Sequence, residues 1–215
     1  VDGSQVYGSS KSRADALRSF TGGQLRTSSG NMLPFNTGGL PNENSSHRMP
    51  DSKLYLAGDV RANENPDLAS LQILFMREHN RIAAGQAKDH PSWTDEQLYQ
   101  AARQIVIAEI QSITYNEFLP ALLGRNAISA YSGYRADVNP SIANEFSTAA
   151  YRFGHSLLDS EIGRLNNDGS EAGEPISLAD AFFNTSFFDP ALANRAGDID
   201  PFLKAAASGN AQEVD

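Results

Sequence analysis

LYLAGDVRANENPDLASLQILFMREHNRIA, residues 54–83, sets a long helix into a chain that otherwise shows little period. Asn65 followed by Pro66 is a strong opening: the Asn side chain can cap free backbone N–H groups, and Pro fits the first helical position, where its missing N–H costs nothing. Leu68, Leu71, Phe75, Glu78 and Ile82 then step by three and four, so four apolar residues are expected on one face, with Gly85 as the stop. Arg61 and Glu64 stand just ahead of the capped N-terminus. Near the positive end of the helix dipole they are either solvated charges at the start of a helix or rigidly placed groups acting on a bound oxidant. His79, in Arg77-Glu78-His79-Asn80-Arg81, reads as structural: a packed imidazole or part of a salt-bridged turn.

Working outward, Thr94-Asp95-Glu96-Gln97 has the capping-box pattern and opens a second helix running to about Tyr115, with Leu98, Ala101, Ala102, Ile105, Ala108 and Ile113 apolar. A short further piece is expected to end near Gly124. Residues 11–20 suit a short helix. Residues 21–63 are rich in Gly, Ser, Asn and Pro without a lasting period, an irregular stretch far longer than a compact domain usually holds. It is either disordered or packed down by a larger body. Residues 125–139 are irregular, Pro140 is expected to open a helical stretch through Leu157, 159–176 reads as an acidic loop, and short helices are expected at 177–184 and 199–207. Almost nothing alternates at period two. The expected class is mainly α with long irregular loops.

The chain has 215 residues and a net charge of −9, and residues 159–215 hold 11 acidic but 3 basic side chains. An acidic chain without a basic stripe argues against nucleic-acid or anionic-membrane partners. No apolar run reaches 18 residues, so no membrane-spanning helix is expected. The absence of Cys removes disulfides, thiolate metal sites and a Cys nucleophile. The chain starts at Val1 without an initiator Met or an apolar leader, and reads as beginning mid-stream.

No HExxH, GxSxG or P-loop pattern occurs. Of four histidines, His47 and His90 fall in loops. His155 lies in Tyr151-Arg152-Phe153-Gly154-His155, with Arg152 one helical turn back. A His beside a Gly can let a flat cofactor approach, with Arg152 meeting a carboxylate on it; the plainer reading is a core or surface His.

Taken together, VDGSQVYG at the start, LYLAGDVRANENP, REHNRIA, ITYNEFLPALLG and FSTAAYRFGHSLL, in this order, resemble the animal-type haem peroxidase superfamily, with wording similar to bacterial or peroxinectin-like members. The resemblance implies a haem-peroxidase-like helical fold, with residues 1–215 as the central part of one such domain, incomplete at both ends. It implies haem b as cofactor, with His155 as the axial ligand of the iron, Arg152 near the propionates and Arg61 as the distal arginine favouring peroxide cleavage. Glu64 matches the carboxylate that in some members forms an ester with the haem, while Asn65 replaces the Met of another subgroup and speaks against a thioether-type link. Asp2 and Ser4 match two ligands of a calcium loop. The activity implied is oxidation of small donors (halides, phenols or similar) by hydrogen peroxide through an oxo-iron state, in an extracellular setting.

The family's distal histidine, the remaining calcium ligands and the Asn partner of the proximal histidine are not matched, so the expected partners include the remaining segments of the same domain, and the chain by itself is expected to be weakly active or inactive. Two other readings stay open. One is a fatty-acid oxygenase of the same superfamily; seven tyrosines are present, but the expected radical position falls outside the chain. The other is an adhesion module on the same fold, for which neither RGD nor KGD occurs.

Overall fold

The computed structural model describes residues 1–192 and 197–213. Two long helices organise it, α3 (Pro66–Asp89) and α4 (Asp95–Ile113), joined by a short connection that folds α4 back along α3. Three shorter helices complete the packed part: α1 (Ser4–Tyr7), α2 (Lys11–Leu17) and α8 (Asp200–Ser208); α1 and α8 pack on α3. Beyond α4 come a π-helical turn (Thr114–Phe118), α5 (Leu119–Leu123), α6 (Asn144–Thr148), a 3-10 segment (Ala150–Leu157) and α7 (Leu178–Ala181). The sheet is one antiparallel pair, β1 (Glu161–Ile162) with β2 (Ile176–Ser177), closing the acidic loop as a small hairpin.

Both long helices start as their sequences require. The Asn65 side chain accepts from the Leu68 N–H at 2.9 Å, and Thr94 and Gln97 form a reciprocal capping box. Their ends and faces differ from expectation. α3 passes Gly85, because Gln86-Ala87-Lys88 are good helix formers that outweigh the roughly 1 kcal/mol cost of one interior Gly. It stops at His90, which precedes Pro91 and takes a non-helical backbone. The stripe that packs is Ala69, Ile73, Met76, His79 and Ala83, whereas Leu71 is 45% exposed and Leu74 40%. On α4 the inner stripe is Tyr99, Ala102, Val106 and Ile110; Ile105 and Ile113 face outward. Full burial of Ile73, Met76 and Val106 stabilises the helix pair by about 2 kcal/mol each.

Residues 21–63 are packed down, with Leu25, Met32, Leu33, Leu54, Tyr55 and Leu56 buried. Side-chain amides take the place of secondary structure. Asn80, on α3, accepts from the Leu25 N–H (2.7 Å) and donates to its carbonyl (3.0 Å). Asn63 does the same for Tyr55, both at 2.8 Å. Each amide imitates a peptide group and satisfies a loop residue whose only backbone pairing is a lone antiparallel bridge, Leu25 with Arg18 and Tyr55 with Phe35. Buried Arg13 donates to the Ala57 carbonyl at 2.6 Å and to that of Pro41, holding the loop to α2.

The single helix expected from Pro140 through Leu157 is instead broken at Ala149, where φ is −126° and ψ −69°. The hydroxyls of Ser147 and Thr148 both donate back to the Asn144 carbonyl, and no residue from 111 to 161 is buried. Without a packed face, local hydrogen bonding sets the backbone there. The π turn was also unforeseen. It precedes Pro120, which has no N–H and whose ring crowds the carbonyl four residues back; the wider turn relieves that clash.

Candidate functional site

The turn from Gly58 to Asn65 is the most firmly built of the sequence-selected positions. Ala62 and Asn63 are buried; Asn63 is clamped to Tyr55, and its carbonyl accepts from the Phe183 N–H at 3.0 Å. Asp59 accepts from the Arg61 N–H at 2.7 Å and faces the Arg61 Nε at 3.5 Å. The Arg61 guanidinium is exposed, on a backbone fixed at both ends, and Glu64 is half-buried beside it. Asp67, in the first turn of α3, has a buried carboxylate oxygen without a hydrogen bond, and burial pushes its pKa up to about 6.

The Asp2–Ser4 segment is welded to this turn. A Cβ on Gly58 would lie 2.3 Å from the Ser4 carbonyl oxygen and 2.5 Å from that of Gln5, so only glycine lets α1 approach this closely. The Asp59 N–H then donates to Gln5 O at 3.2 Å. Asp2 itself accepts from the Ser4 N–H at 3.1 Å, which holds its carboxyl below the usual range. One carboxylate and one hydroxyl fall well short of the six to eight oxygens calcium takes, and among the described residues no three His, Cys, Asp or Glu side chains gather. By themselves these residues do not make a calcium site.

His155 and Arg152 lie on the 3-10 segment, both exposed. Among the described residues the His155 imidazole makes no hydrogen bond and Arg152 no ion pair, and no hydrogen bond or ion pair joins this segment to the Arg61 turn. Of the other histidines, His79 is committed. His79 is fully buried, with Nδ1 2.9 Å from the Tyr7 hydroxyl and Nε2 2.8 Å from Gly23 O. Burial pulls its pKa down to about 4, so it is neutral: a packed imidazole and not part of a salt-bridged turn. His90 stacks on Trp93 at 3.9 Å, and His47 is exposed in a turn. Like His47 and His90, His155 keeps both ring nitrogens free of hydrogen bonds among the described residues, as a haem ligand with a second nitrogen for a partner requires. The flanking Tyr151, Phe153 and Leu158 are exposed apolar groups of the kind a porphyrin face would cover. Asp59, Asn63 and Gly58, which hold Arg61, were not singled out from the sequence; their roles depend on Tyr55 and Gln5, which no local pattern connects to them.

A family model described as animal haem peroxidase matches residues 1–215. Peroxinectin A from Dictyostelium discoideum is 38% identical over all of this chain and 39% of its own length. Chorion peroxidase from Drosophila melanogaster is 38% identical over all of this chain and 27% of its own. Among solved structures, peroxidase A from Dictyostelium discoideum superposes with a TM-score of 0.91 and 33% identity, covering this whole chain and 40% of that one. A fatty acid alpha-dioxygenase from Oryza sativa superposes at 0.63 over 84% of this chain and 33% of that one, with 24% identity, which is a likeness of fold alone. The chain thus spans about two-fifths or less of these relatives. A match along its entire length, with close superposition on a peroxidase, shows that the chain belongs to the animal haem peroxidase family.

Proposed function

We propose that residues 1–215 are the central part of a haem peroxidase domain that oxidises a small electron donor, such as a halide or phenol, with hydrogen peroxide. The observation supporting this most directly is the whole-chain family match combined with a guanidinium, Arg61, on a turn clamped by Asn63 and Asp59. Haem b, when bound, supplies the iron-centred redox chemistry. His155 would hold the haem iron through one ring nitrogen and keep the other for a hydrogen-bond acceptor that tunes it. Arg152 is a propionate partner. Arg61 would offer fixed positive charge to peroxide, and because its backbone is already held by Asp59, little reorganisation would be needed. Glu64 is the carboxylate available for an ester link to the haem. Asp2 and Ser4 contribute two oxygens to a calcium shell completed by remaining segments of the domain, which also supply the distal base. An extracellular setting accords with the name of the chorion peroxidase relative, and no described helix is long and apolar enough to cross a membrane.

The test is the absorption spectrum and peroxide reactivity of the full-length protein. His155→Ala is expected to weaken haem binding at least tenfold and displace the Soret band. Arg61→Ala should leave the band in place but slow the reaction with peroxide on the order of 10²–10³-fold. A Soret band unchanged in His155→Ala would overturn the axial assignment.

A further inference from the structure

Among the described residues, a deeply buried polar contact is not used by the chemistry above. Tyr7 is 1% exposed and His79 0%, and they meet across 72 residues of sequence at 2.9 Å, oxygen to Nδ1. The direction of this bond follows from its neighbour. A carbonyl oxygen can only accept, so the 2.8 Å contact with Gly23 O requires the hydrogen on His79 Nε2. Nδ1 of the neutral ring is then bare, and the Tyr7 hydroxyl donates to it. Gly23 is held in place: its backbone is left-handed (φ 70°), a Cβ there would lie 2.5 Å from the Tyr99 nitrogen, and its N–H donates to Asp95 at 2.7 Å. The acceptor is thus a neutral imidazole of fixed tautomer, aimed at a phenol that water does not reach.

We propose that Tyr7 and His79 form a redox-active pair, in which Tyr7 gives up one electron while its phenolic proton crosses to His79 Nδ1. The O–H bond breaks and an N–H bond forms, leaving a neutral phenoxyl radical and an imidazolium. The electron goes to a one-electron oxidant of the peroxide-derived kind that the proposed function would generate; a one-electron reducing donor later returns the electron, and the proton recrosses from His79 Nδ1 to the Tyr7 oxygen. The surroundings favour this coupling. Loss of an electron makes a phenol strongly acidic, and Arg103 over the Tyr7 ring, 5.3 Å from its centroid, disfavours a ring cation that keeps its proton. The base stays available because burial keeps His79 neutral. Gly23 O is already placed to share the charge of the imidazolium. Tyr99 stands edge-on to Tyr7 at 5.9 Å and tilted by 60° to His79 at 5.2 Å, with Arg18 over its face at 3.9 Å. It completes the shield around the pair.

The physiological oxidant rests on the peroxidase reading, so the test has two arms. In the first, a flash-generated ruthenium(III) polypyridyl complex oxidises the haem-free full-length protein, and tyrosyl radical is followed by transient absorbance and electron paramagnetic resonance. Exposed tyrosines give short-lived signals; a long-lived component is expected in wild type and in Tyr99→Phe, and absent from Tyr7→Phe. His79→Gln, which keeps a hydrogen bond but not a base, should slow formation of that component on the order of 100-fold, and D2O should slow it in wild type. A long-lived component surviving in Tyr7→Phe, or a wild-type rate in His79→Gln, would overturn the pair. In the second arm, the haem-loaded protein is freeze-quenched with peroxide. A signal lost in Tyr7→Phe supports the pair in its enzymatic role; no signal, when the flash arm succeeds, supports the pair and counts against the peroxidase reading.

Discussion

His79 and Asp67 stand a few turns apart on α3, and burial shifts them in opposite directions. His79 falls from its ordinary 6.5 to about 4, so the unfolded chain binds the extra proton between these values and stability rises with pH across them. The stabilisation is present above pH 6.5 and lost on acidification, worth up to about 3 kcal/mol. Asp67 is raised from 3.8 to about 6, so the folded chain holds the extra proton, and stability falls as pH climbs from 4 to 6. The two slopes oppose each other in nearly the same window. Urea unfolding at several pH values should therefore show a rising profile in Asp67→Asn and a falling one in His79→Gln, with wild type between. Parallel profiles in all three proteins would count against both assignments.

Two glycines make contrasting tests at the level of helices. In Gly58→Ala the new methyl meets backbone carbonyls of α1, which cannot rotate away, so α1 must shift; the expected loss is about 2–3 kcal/mol in a denaturation midpoint. Gly85→Ala, inside α3 with nothing within 4 Å, should gain about 0.5–1 kcal/mol. The same helices show what could be read in advance. Asn65-Pro66 and Thr94 through Gln97 marked both starts because capping is local chemistry. The inward stripe of α3 was misread because Leu68, Leu71 and Phe75 rival Ile73 and Met76, and periodicity alone does not say which of two apolar faces finds a partner. The ordered course of residues 21–63 was hidden for another reason: Asn63 and Asn80 hold it through single amides whose targets lie 8 and 55 residues away. Of the proposed site, positions 61, 64, 152 and 155 were selected by the resemblance of ordered motifs, while the scaffolding of Arg61 was not legible in the sequence.

The whole molecule divides into a firmly packed body and an uncovered span. Every buried residue lies outside 111–161, and within that span Tyr131 is 87% exposed and Tyr134 88%. Arg61 rides on the first part and His155 on the second. Hydrogen exchange of the full-length protein should show slow amides in the middle of α3 and α4 whether or not haem is present, and a rise in protection at 150–158 on loading haem. Equal protection in both states at 150–158 would separate His155 from the cofactor. The span also tolerates replacement in a way the body does not, since no core side chain is removed with it. Exchanging residues 111–161 for those of a relative should leave the foundation standing while altering the reception given to the porphyrin, so this is where a designer could vary one wall of the site and keep the other.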